Sequence, residues 1–214
     1  MRAACARGYW LVANLYLVVE ARLDPFQLVF IGVAQGVTAL VSEIPTGVMA
    51  DTISRKWSIV TAHALTGAGM LVTGLVTDFP LLVATQMLWG LGWTFTSGAE
   101  FAWLSDELDQ PERTASVLAA GARAQQVGAA FGLVAFGALA AGTSLATAIA
   151  TSGLAMWLLG VYVATRFGER NFTPARVHRL RESASIASIP FAMLGSCALA
   201  ALAAGVVARS RERS

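Results

Sequence analysis

Residues 43–59 read EIPTGVMADTISRKWSI, a stretch that begins inside one long apolar run and ends inside the next. Four charged side chains, Glu43, Asp51, Arg55 and Lys56, gather in this short interval. A polar turn joining two membrane helices accounts for the pattern. Asp51 and Arg55 stand four apart, the spacing of a helical ion pair. Glu43 lies about two helical turns earlier, which places it inside the membrane. Composition alone favours a solvated turn that anchors the chain by its positive charge.

The rest of the chain supports a lipid setting. Of 214 residues, 56% are hydrophobic and only 13% charged, whereas soluble domains carry about a quarter charged residues. The mean hydropathy of +0.63 agrees. Apolar runs cover about residues 8–20, 26–49, 57–77, 81–104, 114–165 and 186–208. A run of about 20 residues crosses a hydrocarbon core. The fifth is long enough for two helices, and Gly142-Thr143-Ser144 is its natural break. No run shows the alternation of a barrel strand, and in lipid each backbone donor must be satisfied within its own segment. The expected fold is therefore all-α: a polytopic membrane bundle of six transmembrane helices plus one further C-terminal hydrophobic helix. The expected divisions are a six-helix bundle at 1–165, a basic linker at 166–185, and an extra helix with a basic tail at 186–214. Small residues such as Gly67-Ala68-Gly69 and Gly128 with Gly132 suit close helix packing. An arginine-rich base composition, with Lys56 the only lysine, accounts for them as well.

Several function classes fall away. A net charge of +2 without a basic face gives no footprint for nucleic acid. Cys5 and Cys197 lie near opposite ends, without metal-ligand spacing. Val18-Val19-Glu20-Ala21 offers no signal-peptide cleavage site, so a retained first helix is expected. No P-loop, metal cluster or nucleophile–base pattern is present in the sequence, so neither enzyme activity nor a cofactor is expected. Basic residues fall on alternate connections: Arg2 and Arg7, Arg55 and Lys56, Arg113, then Arg166, Arg170, Arg176, Arg179 and Arg181. The positive-inside rule then puts the N-terminus, the 43–59 turn, the 105–113 loop and the 166–185 linker in the cytoplasm of a multi-pass plasma-membrane protein.

Gly47-Val-Met-Ala-Asp51-Thr-Ile-Ser54-Arg55-Lys56 resembles the G-x-x-x-D-x-x-G-R-K/R signature between helices two and three of the major facilitator superfamily. Upstream, Glu43-Ile-Pro-Thr-Gly47 looks like the E-x-P-T/S-G lead-in of its drug-efflux-like branch. Downstream, residues 88–108, with Gly98, Glu100 and Asp106, resemble the fourth helix of that branch. The resemblance covers about residues 10–170 and implies the N-terminal six-helix half of such a transporter. It implies that Asp51 and Arg55, with Lys56, latch the cytoplasmic mouth, the Asp facing a helix N-terminus, and that Gly47 allows close helix approach. Two positions depart from the pattern. Ser54 stands where the signature has Gly, and Gln86 lies about where the fourth helix carries an Arg, so a partner in the proton-coupling relay is missing.

Ionisable groups inside spans are costly and count as functional candidates. Glu43 either lines the cavity or protonates during transport, or else makes a hydrogen bond between helices. Glu100 and Arg123 flank the 105–113 turn and are expected to pair across the hairpin, the alternative being that each reaches its own interface. His63 reads as a satisfied interhelical histidine sooner than a proton carrier. Gln35 and Gln86 are cavity candidates, as is the pair Trp89 and Trp93, one turn apart near mid-span; Asn14, Gln125 and Gln126 read better as polar contacts between helices. Trp57 and Trp103 suit interfacial anchoring. The expected activity is secondary active transport of a small molecule by alternating access, in the efflux direction on the resemblance, from an incomplete copy clipped at its start. Such a half needs a second copy or a separate second half as partner. The competing expectation is a non-transporting membrane protein, either a transporter remnant or an assembly partner.

Overall fold

Polar caps start the helices where the sequence breaks. Before the second helix, Gln27 N donates to Asp24 Oδ1 at 2.9 Å and Asp24 N to Gln27 Oε1 at 3.0 Å. This is a reciprocal capping box, with Pro25 at the first helical position, where its missing N–H costs nothing. Ser54 and Ser144 do the same work for two later helices. Both are extended, and their hydroxyls accept from Trp57 N at 3.0 Å and Thr147 N at 3.1 Å.

The computed structural model describes residues 1–52, 54–96, 99, 100, 103, 104 and 111–168, with the backbone alone at 111–115. These form α1 (Arg2–Val19), α2 (Pro25–Thr52), α3 (Arg55–Thr73), α4 (Phe79–Thr96), α5 (Pro111–Gly142) and α6 (Leu145–Arg166), with no strand among the described residues. Ala99, Glu100, Trp103 and Leu104 are also helical. The break at 142–144 falls where the sequence indicated. The hydrophobic run at 186–208, its tail and nearly all of the 166–185 linker lie outside the described residues, as does the 105–110 turn. Compactness divides the chain after Pro174, so every described residue belongs to the first unit.

Three helices are long and apolar enough to cross a membrane: α2, α5 from Ser116 onward, and α6. The sequence predicts six such spans and a seventh. Among the described residues the other three helices are less apolar: α1 carries Arg2, Arg7 and Asn14, and α3 and α4 carry His63, Thr66, Thr73, Thr85 and Gln86 on inward faces. Burial is shared unevenly. Only 6% and 11% of the apolar windows of α2 and α5 are buried within the chain, whereas Tyr9, Val12, Met70, Leu82, Ile149 and Met156, from α1, α3, α4 and α6, are fully enclosed.

The packing has an internal symmetry. Helix α1 packs on α5 and α6, α4 on α2 and α3, and α3 on α6, with weaker neighbours α2–α3 and α5–α6. Exchanging α1 with α4, α2 with α5 and α3 with α6 returns the same set of pairs. The α3–α6 seam shows it at residue level. A Cβ built on Gly67 would lie 3.0 Å from Gly153 O, and one on Gly153 2.9 Å from Gly67 O. Gly74 faces Ala146 and Ile149, while Gly160 faces Val60 and His63. One shift of 86 residues (153 − 67 and 160 − 74) converts each of these contacts into its counterpart. The seam is antiparallel, since Gly74 meets the start of α6 and Gly160 lies toward the start of α3. A twofold relating antiparallel helices lies across them, so the two helix triplets pack in an inverted arrangement.

Candidate functional site

One end of the bundle gathers the starts of α1, α3 and α5 and the ends of α2, α4 and α6. A small apolar cluster of Ala50, Ile59, Ala99 and Val163, with Trp103 and Phe167 packed against it, fixes this end. Trp103 Nε1 donates to Gly168 O at 3.1 Å and its ring stacks on Phe167 with centroids 4.8 Å apart. The expected interfacial anchor is thus also an internal clamp on the end of α6. Trp57 is exposed, as an anchor requires.

Arg2 and Glu100 form the main ion pair of this end, Nη2 to Oε2 at 2.8 Å, both side chains about a quarter to a third exposed. The Arg2 guanidinium also lies 5.8 Å from the centroid of Trp93, within cation–π range. Trp93 stacks on Trp89, centroids 5.7 Å apart. Trp89 in turn meets Tyr9 in a stacked contact at 6.5 Å and Trp10 edge-on at 5.3 Å. An aromatic ladder therefore runs from the core to the charged end. The pair borders two clefts. The larger, about 530 Å³, opens between Arg2, Trp93, Thr96, Glu100 and α5 residues from Val117 to Gln125. The other, about 320 Å³, lies toward His63, Leu159 and Phe167. Sequence reasoning credited Arg2 only with setting orientation; its proximity to Glu100 depends on how α1 docks on the end of α4.

Glu100 therefore pairs with Arg2 rather than with Arg123, whose side chain is exposed on α5. Arg123 does not line the cleft beside Glu100, where Gly121, Ala122 and Gln125 do. Gln86 does not line any of the clefts described here. It is buried, and its Nε2 donates to Tyr9 Oη at 2.7 Å and to Thr73 Oγ1 at 3.3 Å. Tyr9 Oη donates to Thr73 Oγ1 at 3.3 Å, and Thr73 Oγ1 lies 2.9 Å from Thr85 Oγ1. The amide thus joins α1, α3 and α4 through a satisfied polar network. Of the expected cavity tryptophans, Trp93 lines the larger cleft and is half exposed, while Trp89 is buried behind it. Gln35 is half-buried with its backbone against Gly90 of α4. Asn14 turns its amide back to Trp10 O at 2.6 Å, and Gln125 lines the larger cleft.

His63 is buried, its Nδ1 2.6 Å from Ile59 O, which assigns the proton to that nitrogen, and its Cβ sits against Gly160. The ring is therefore satisfied within its own helix, and only the Cβ contact with Gly160 reaches another helix. At the α2–α3 turn, Arg55 Nη2 and Asp51 Oδ1 are 3.6 Å apart. Lys56 Nζ sits 5.8 Å over Trp57. Glu43 is half-buried on α2, a turn before Thr46, whose hydroxyl donates to Ser42 O at 2.8 Å next to the helix-internal Pro45. Ser54, at the glycine position of the signature, is extended rather than left-handed, so its backbone needs no glycine and its hydroxyl caps α3. A Cβ on Gly47 would meet nothing within 4 Å among the described residues. Close approaches occur at Gly8, Gly67, Gly69, Gly74, Gly90, Gly92, Gly132 and Gly153.

Among the described residues, no group of three or more His, Cys, Asp or Glu side chains could hold a metal ion. No protein-family profile matches the chain, and no curated protein matches it in sequence.

Proposed function

We propose that this chain is a multi-pass membrane protein of the secondary transporter class, built like the N-terminal half of a major facilitator transporter, with all six described helices crossing the bilayer. The observation that carries the reading is the exchange symmetry of the packing, in which two inverted helix triplets share the Gly67–Gly153 seam. Nested 3+3 inverted repeats are the build of each six-helix half of that superfamily. Thr73, Thr85 and Gln86 of α3 and α4 face other helices and join with Tyr9 of α1 in one hydrogen-bonded network, which is how spans tolerate polar groups.

In this reading the Arg2–Glu100 end and the Asp51–Arg55 turn are cytoplasmic, and Asp51, Arg55 and Lys56 close the inner mouth. Alternating access needs a second wall. Helices α2 and α5, exchanged by the twofold and nearly unburied over their apolar windows, supply the surface for a second copy or a separate second half. That same surface suits a non-transporting assembly partner, and a flux measurement separates the two.

Topology is tested by single cysteines in a background with Cys5 and Cys197 replaced. Cysteines at Asp24, Asp78 and Thr143 are expected to react with an impermeant maleimide on intact cells, and one at Lys56 only after permeabilisation. Labelling of Asp24 and Lys56 from the same face would sink the six-span arrangement. Flux in proteoliposomes, with Asp51→Asn as the inactive control, tests transport itself.

A further inference from the structure

We infer that the cleft of about 530 Å³ beside Glu100 and Trp93 binds an organic cation with a planar guanidinium- or amidinium-type head, and that Arg2 is the tethered group it displaces. The inference deepens the transport reading by naming the ligand class of this end, and it rests on that reading for what the binding is for.

The geometry is that of a cation site already filled by a side chain. A guanidinium sits 2.8 Å from a carboxylate and 5.8 Å from the centroid of a tryptophan face, which is itself backed by a second stacked tryptophan. Carboxylate and indole π-face together favour a planar cation. Arg2 is the first residue of α1, on a long flexible stem, so it can leave the site for water while its backbone stays in place. Glu100 has a short side chain in the middle of the bundle end, with Arg2 as its ion-pair partner.

That asymmetry selects the charge of the ligand. An incoming cation takes over Glu100 and releases Arg2 to solvent, so no partly buried charge is left unpaired. An incoming anion would take Arg2 and strand the Glu100 carboxylate, a costly outcome for a partly buried charge. The remaining lining, with Leu104, Val117, Leu118, Gly121 and Ala122, is apolar and small. It leaves room for an aromatic or aliphatic body behind the charged head, and the volume falls within the range of about 300–1,000 Å³ usual for small-molecule sites.

The test uses 4-aminobenzamidine as the probe on the full chain in detergent micelles, with neutral benzamide and anionic benzoate as controls. The wild-type chain is expected to bind the amidine in preference to both controls. Arg2→Ala, which removes the tethered competitor, is expected to tighten binding about tenfold, and Glu100→Gln to weaken it at least tenfold. Weaker or unchanged binding by Arg2→Ala, unchanged binding by Glu100→Gln, or preference for benzoate would overturn the inference. Should either charge variant fail to melt cooperatively, Trp93→Leu at its half-exposed position decides. Several-fold weaker binding supports the site, and unchanged binding overturns it. Amidine binding without flux would remove the transport reading alone. Flux of other solutes without amidine binding would remove this inference alone.

Discussion

Gly67 and Gly153 face each other across α3 and α6 so closely that a Cβ on either would come within about 3 Å of the other's carbonyl oxygen. Those obstacles are backbone, which cannot rotate aside. Gly67→Ala and Gly153→Ala are each expected to destabilise the bundle by about 1–3 kcal/mol, the usual cost of overpacking. Gly47→Ala, which meets open space, is expected to be neutral or to gain up to about 1 kcal/mol from higher helix propensity. Thermal unfolding in one detergent compares the three. Equal melting of Gly67→Ala and wild type would remove the seam as the structural centre.

The network around Gln86 gives a second expectation. Tyr9→Phe deletes the hydroxyl that accepts from Gln86 Nε2 and leaves buried polar atoms short of a partner, at a cost of about 1–3 kcal/mol. Gln86→Leu leaves Tyr9 Oη and Thr73 Oγ1 without their amide donor. The double variant removes both sides and is expected to cost less than the sum, with a coupling of about 0.5–3 kcal/mol. Additive losses would mean that the two residues stabilise the fold independently.

Features that depend on neighbours in the chain were legible in the sequence. The break at 142–144, the start of the second apolar run near residue 26 and the Asp51–Arg55 spacing all follow from rules spanning a few residues. Pairings across helices were not. Glu100 and Arg123 flank the same polar stretch of sequence, and similar depth alone suggests that they meet. Which partner Glu100 takes depends on the rotation of α5 and on the docking of α1, and neither is encoded locally. Gln86 gave the same difficulty, because a buried amide in a membrane run reads identically whether it faces a cavity or three hydroxyl groups. Gly47 and Gly67 are likewise equivalent in sequence, and only the packing separates an open position from a seam.

The Asp51–Arg55 pair lets the proposed latch be tested apart from stability. The pair spans the break from the end of α2 to the start of α3 at 3.6 Å, with Asp51 a third exposed, and a surface pair of this kind contributes about 0–1 kcal/mol. Asp51→Asn is therefore expected to leave the melting midpoint nearly unchanged while reducing solute flux at least tenfold. A variant that melts like wild type and still transports would remove the latch role.

A strained turn offers a gain. Arg22, exposed between α1 and α2, has φ of 50°, in the left-handed region that disfavours a side chain by about 1–2 kcal/mol. Arg22→Gly relieves that strain but also frees the unfolded chain, so a net stabilisation of about 1 kcal/mol or less is expected. A fall in melting temperature would show that the Arg22 side chain makes a stabilising interaction at the membrane surface that outweighs the backbone cost.

Ser54 provides the last expectation. The residue is extended at φ −174° and ψ 129°, accepts from Trp57 N through its hydroxyl, and receives the Ser58 hydroxyl on its carbonyl at 3.0 Å. A helix cap of this kind is worth about 1 kcal/mol against Ala and only a few tenths against Gly. Ser54→Ala is thus expected to destabilise clearly and Ser54→Gly barely, although glycine is the more flexible residue. If the position instead needed a left-handed backbone, Ser54→Gly would stabilise the protein and Ser54→Ala would match wild type. Unfolding midpoints of the two variants, measured side by side in one detergent, decide between a capping serine and a strained one.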